Sequence, residues 1–93
     1  MRITVEISLY PLRDEFVADI REFILGIRAH PRLEVVTNQL STQIRGDFDD
    51  VMAALGRGMK ATMERRGTKV FVAKFLNADL PIGTTPAIEP EPG

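Results

Sequence analysis

The chain has no cysteine and no tryptophan, and only one histidine and one tyrosine. Without cysteine there is no disulfide, no thiolate nucleophile and no sulfur-ligated metal. The lone histidine, His30, stands beside Pro31 where a helix should end, so it reads as a surface cap rather than a catalytic base. No Ser-His-Asp set, HExxH motif or glycine-rich phosphate loop occurs. No apolar run approaches the ~20 residues of a membrane-spanning helix. Met1-Arg2 leads directly into Ile3-Thr4-Val5-Glu6-Ile7-Ser8, which places Glu6 where a signal peptide needs unbroken apolar sequence. A cytoplasmic location is therefore expected. Strong charge of either sign is missing too. The net charge is −1 and the basic residues are dispersed, which leaves no electrostatic footprint for nucleic acid or an anionic membrane.

What is present is one domain's worth of chain: 93 residues, 44% of them hydrophobic. A chain of this size buries ~60–65% of its unfolded surface, a thin margin unless subunits associate.

The sequence is organised around Val35 to Asp47, where two short strand-like runs flank a polar centre. Before it, Arg2 to Tyr10 alternates, with Ile3, Val5, Ile7 and Leu9 on one side and Thr4, Glu6, Ser8 and Tyr10 on the other. That predicts a strand with one buried face, stopped by Pro11. Asp14 is the expected N-cap of the next helix, with Glu15 in its first turn. Phe16, Ile20, Phe23, Ile24 and Ile27 follow helical spacing, with Arg13, Asp19, Arg21, Glu22 and Arg28 largely opposite. His30-Pro31 ends this helix.

Leu33 to Asn38 and Thr42 to Gly46 predict an antiparallel hairpin. Its turn lacks the Asn-Gly or Asp-Gly signal, so an irregular or longer connection is expected, with Asn38 taking the unusual backbone conformation. Asp47 is the expected cap of the second helix, and Asp49 and Asp50 suit its first turn better than they suit metal binding or acid-base work. Val51, Met52, Leu55, Met59 and Met63 form its apolar stripe, read as core. Gly56 and Gly58 weaken that helix unless a close approach to the sheet or another subunit compensates. Arg65-Arg66-Gly67 predicts its end, with Gly67 left-handed. Lys69 to Leu76 is a fourth strand, apolar on both faces, which suggests a central or covered position. From Asn77 the periodicity dissolves among Pro81, Pro86, Pro90 and Pro92, giving a folded domain over residues 1–80 and a flexible or extended tail over 81–93.

The order β-α-β-β-α-β, with right-handed crossovers, predicts an α+β ferredoxin-like plait: a four-stranded antiparallel sheet with both helices on one face. Parity places Glu6, Ser8 and Tyr10, Val36 and Asn38, Ser41, Gln43 and Arg45, and Val70, Val72 and Lys74 on the bare face. That face either packs against a second subunit or contributes to a site; a pocket can form at such an interface. The candidate ligand-binding residues are Glu6, Ser8, Tyr10, Thr37, Asn38, Ser41, Thr42 and Gln43, with no catalytic or metal-ligating set.

The segments Ile7-Ser8-Leu9-Tyr10-Pro11-Leu12, Glu34-Val35-Val36-Thr37-Asn38, Ser41-Thr42-Gln43, Gly46-Asp47-Phe48 with Val51-Met52, and Val70 to Phe75 resemble the YkoF-type thiamin/hydroxymethylpyrimidine-binding proteins. The resemblance spans about Arg2 to Leu80 and extends, more distantly, to small single-domain thiamin-binding proteins. It implies a non-enzymatic, cofactor-free binding protein in the uptake or handling of vitamin B1. YkoF carries two such units and this chain one, which implies a homodimer, with room for dimers to pair into tetramers. Ser8, Asn38, Thr42 and Gln43 carry groups that match an aminopyrimidine. Tyr10 can stack on it, and Glu6 can face a cationic thiazolium. Two alternatives stand beside this: a ligand-sensing or oligomerising regulatory plait, and a small cofactor-free plait enzyme with Glu6 as its titratable group.

Overall fold

The protein is described as a computed structural model covering residues 1–12, 17–88 and 90. Its elements are β1 (Arg2–Pro11), α1 (Val17–Arg28), β2 (Glu34–Thr37), β3 (Thr42–Asp47), α2 (Phe48–Met63) and β4 (Lys69–Leu76). The strands form one antiparallel sheet in the order β2-β3-β1-β4. This is the predicted ferredoxin-like plait.

One face of the sheet makes the core. Ile3, Val5 and Ile7 of β1 and Ile44 of β3 meet Phe23 and Ile27 of α1 and Val51, Ala54 and Leu55 of α2, all buried. Strand periodicity of two and helix periodicity of 3.6 put these side chains in register. The pairing confirms the predicted faces: Val5 lies opposite Ile44, while Glu6 lies opposite Gln43 and Lys74 on the bare side. Gly58 lets the helices approach, since a Cβ there would sit 3.1 Å from Ile27 and 3.2 Å from Phe23. Gly67 is left-handed, with φ of +92°, as expected after a helix.

Several local expectations are corrected. β4 is an edge strand, not a central one, and its apolar residues are largely exposed. Asp19 is fully buried rather than solvent-facing, because Arg65, just past the end of α2, donates to its carboxylate at 2.7 Å. Met52 and Met63 are exposed; α2 turns Val51, Ala54, Leu55 and Thr62 inward, and of the three methionines only Met59 packs on the core. Gly58 faces α1 rather than the sheet, and Gly56 faces open space. Asp47 occupies the cap position without a side-chain cap bond; its carboxylate lies 3.3 Å from the Met1 ammonium instead. The expected roles of Arg13, Asp14, Glu15 and Phe16 fall outside the described residues.

Past Leu76 the chain crosses the bare face. Thr4 donates its hydroxyl to the Ala78 carbonyl at 2.7 Å and accepts the Leu80 N–H at 3.0 Å. Asp79 pairs with Arg2 at 3.0 Å and lies 3.6 Å from Arg45, which also donates to the Leu80 carbonyl and pairs with Glu34. Gly83, with φ of +75°, sits against Val36. The segment runs from β4 over β1 and β3 to β2, and it covers one end of the open face.

Candidate functional site

The strands differ in length: β1 has 10 residues, β3 has 6 and β2 has 4. The β1–β3 ladder ends at Ile7 opposite Thr42, while β1 continues to pair with β4 through Pro11. Beyond Ile7 the β3 side of β1 therefore opens into a notch. α1 closes its helix side and the β2–β3 loop stands opposite. The notch is a cleft of about 490 Å³ lined by residues 7–12, by Ile20, Phe23 and Ile24, and by residues 37–42.

The loop opposite β1 holds its own shape. The Asn38 carboxamide oxygen accepts the N–H groups of Leu40 at 2.9 Å and Ser41 at 3.2 Å, and the Asn38 N–H donates to the Ser41 carbonyl at 3.0 Å. This is an Asx turn, in which a short side chain mimics backbone. It removes the need for the unusual backbone conformation expected at Asn38: among the described residues only Gly67 and Gly83 have positive φ. Ser8 donates its hydroxyl to the Leu40 carbonyl at 3.4 Å, which ties the loop to β1. At the foot of the loop the Thr37 and Thr42 hydroxyls lie 3.0 Å apart on the helix side. One donates to the other, leaving one O–H free for a ligand.

The structure places Ser8, Tyr10, Thr37, Asn38, Ser41 and Thr42 in the cleft lining, and Glu6 and Gln43 outside it. Those two belong to a network on the bare face. Gln43 donates to the Ser41 hydroxyl at 2.8 Å, Ser41 donates to Glu6 at 3.1 Å, and Lys74 pairs with Glu6 at 3.4 Å. Ser41 belongs to both sets, so Glu6 and Gln43 orient a lining residue. The apolar wall of Leu9, Ile20, Phe23 and Ile24 was absent from the residues expected at the site, having been read as core. The unequal strand lengths were the available signal, since a ten-residue strand beside a six-residue one must leave an end unpaired. His30 lies elsewhere, where its Nδ1 accepts the Arg32 N–H and its Nε2 is 3.9 Å from Asp50.

The sequence model of the YKOF-related Family matches residues 2–81. The chain belongs to this family. No curated protein sequence matches it. Among solved structures, a Streptococcus pneumoniae protein is similar at a TM-score of 0.78 and 17% identity, over 86% of this chain and 90% of that one. A Thermotoga maritima protein, whose name provisionally assigns it to thiamine biosynthesis or salvage, has a TM-score of 0.77 and 15% identity over 88% and 91%. A hypothetical protein of Methanocaldococcus jannascii has a TM-score of 0.72 and 21% identity over 89% and 87%. At these identities the likeness establishes the fold.

Proposed function

We propose that the protein binds thiamin or its hydroxymethylpyrimidine precursor without chemical conversion, and serves the uptake or handling of vitamin B1 in the cytoplasm. The carrying observation is the cleft where β1 outruns β3, in a member of the YKOF-related Family. Its volume, about 490 Å³, falls in the range of small-molecule sites. An apolar wall from β1 and α1 faces a polar loop, the division that a flat heterocycle with hydrogen-bonding edges requires. The aminopyrimidine donates through its amine and accepts at its ring nitrogens. The Thr37–Thr42 pair and the Asn38–Ser41 loop supply acceptors and a free hydroxyl. Tyr10, half exposed at the rim, supplies a stacking face.

Among the described residues of the lining, Tyr10 is the only titratable side chain. In this reading a homodimer takes the place of the tandem repeat of YkoF. Isothermal titration calorimetry with thiamin and, separately, hydroxymethylpyrimidine tests it. The expected result is micromolar binding, about −8 kcal/mol, at one site per chain. Absence of heat and of a thermal shift with both compounds, on folded protein, overturns the assignment.

A further inference from the structure

Gly56 and Gly58 both lie inside α2, and glycine weakens a helix at either position. Their surroundings differ. A Cβ at Gly56 would meet nothing within 4 Å. A Cβ at Gly58 would lie 3.1 Å from Ile27 Cδ1 and 3.2 Å from Phe23 Cε1, with Phe23 Cδ1 at 3.4 Å. Contacts that short require a neighbour to give way by a few tenths of an ångström. At Gly58, unlike Gly56, the absent side chain leaves room that other residues use.

The residues that use it belong to α1, and one of them also walls the cleft. Ile27 is fully buried in the core. Phe23 is 4% exposed and lines the cleft with Leu9, Ile20 and Ile24. Its ring is tilted at 59° against Phe71, with centroids 5.1 Å apart. Phe71 in turn lies opposite Leu9 of β1. The Phe23 ring is therefore held by α2 behind it and by β4 at its side, and the cleft is its open direction. A close-packed interior yields least where it is filled, so a group pressing on this ring from Gly58 moves it toward the cleft.

We propose that Gly58 sets the depth of the cleft by letting the Phe23 ring sit back against α2, and so decides how large a planar ring system the site accepts. Gly58 touches no ligand in this arrangement; it is a positioning residue that acts through Phe23. What the cleft holds rests on the ligand reading above; the placement of the ring does not. A glycine that weakens its own helix is then explained by the site it keeps open.

Calorimetric titration of Gly58→Ala with thiamin and with hydroxymethylpyrimidine tests this, with Gly56→Ala as the control in the same helix. Gly58→Ala should fold, since helix propensity favours alanine. It should bind about tenfold more weakly, the scale expected when a packed site is overfilled. Gly56→Ala should bind as the wild type does. Phe23→Leu added to Gly58→Ala removes ring volume from the core, so the double variant should be less stable than Gly58→Ala yet bind more tightly. Stability and affinity moving in opposite directions is an outcome that a merely structural glycine would not give. A Gly58→Ala chain that fails to fold, that binds as the wild type does, or whose affinity Phe23→Leu does not recover overturns the proposal. Methyl NMR separates this from failure of the ligand reading. The Leu9 and Ile20 methyl signals belong to residues that line the cleft with Phe23. They should shift in Gly58→Ala and not in Gly56→Ala, whether or not either compound binds. If the wild type takes up neither compound while those signals shift, the ligand assignment falls and the placement of the ring by Gly58 stands; unchanged signals overturn it.

Discussion

The two ends of β1 make the most instructive contrast in the molecule. At Thr4 to Ile7 the strand is paired on both edges, buried on one face and, at Thr4, strapped on the other by residues 78–80. At Ser8 to Pro11 it pairs with β4 alone and borders the cleft. One strand therefore supplies both stability and the wall of a candidate site, with the boundary where the β3 ladder stops. At the first end the Thr4 hydroxyl is satisfied within the chain by Ala78 and Leu80. At the second end Thr37 and Thr42 keep hydrogen-bonding capacity beyond each other. The proposed site thus lies where the fold leaves hydrogen-bonding capacity unused.

Four substitutions test this division, in descending order of effect. Ile3→Ala at the closed end should cost about 2–4 kcal/mol in urea denaturation, because a buried methylene-rich side chain is lost from a packed core. Affinity of the remaining folded protein for thiamin should stay at the wild-type value; a large loss of affinity would break the separation of the two ends. Thr4→Val removes both bonds to the strap and should cost about 1–2 kcal/mol. Hydrogen exchange should show the Leu80 amide losing protection while the Ile44 amide keeps it. Asn38→Ala at the open end should change stability by less than about 1 kcal/mol, since the loop is exposed, yet weaken ligand binding by roughly tenfold as the loop loses its template. Unchanged calorimetric affinity would remove Asn38 from the site. Gly56→Ala, where a Cβ meets nothing within 4 Å, should raise stability by about 0.5–1 kcal/mol and alter neither end.

The sequence carried the regular parts of this architecture and missed the irregular ones, for identifiable reasons. The alternation of Ile3, Val5, Ile7 and Leu9 was enough to orient β1, and the same parity placed Glu6, Gln43 and Lys74 together on the bare face. Burial of Asp19 was invisible because its partner, Arg65, lies 46 residues away and helical spacing alone puts a carboxylate outside. Met52 and Met63 shared a stripe with core residues, but the inward face of α2 was already filled by Val51, Ala54, Leu55 and Thr62. The strap at 78–80 has no periodicity to detect, since it is held by a threonine hydroxyl and ion pairs rather than by a repeating apolar pattern. Six of the eight residues expected at the site line the cleft, because polar residues clustered at a hairpin are legible as such. The opposing wall was not, because an apolar residue at the end of a strand looks the same whether it faces a neighbour or a cavity.

The Asn38 turn has a consequence for how this scaffold diversifies. Its three hydrogen bonds close within residues 38–41, Thr37 and Thr42 bond across its base, and its ties to the frame are few: Ser8 to the Leu40 carbonyl, and Glu6 and Gln43 to the Ser41 hydroxyl. Six consecutive residues thus form a replaceable cassette on a constant frame. Exchanging residues 37–42 between relatives should transfer ligand preference without redesign of the sheet, and selection can retune one short segment while the rest of the chain remains under the separate demands of folding.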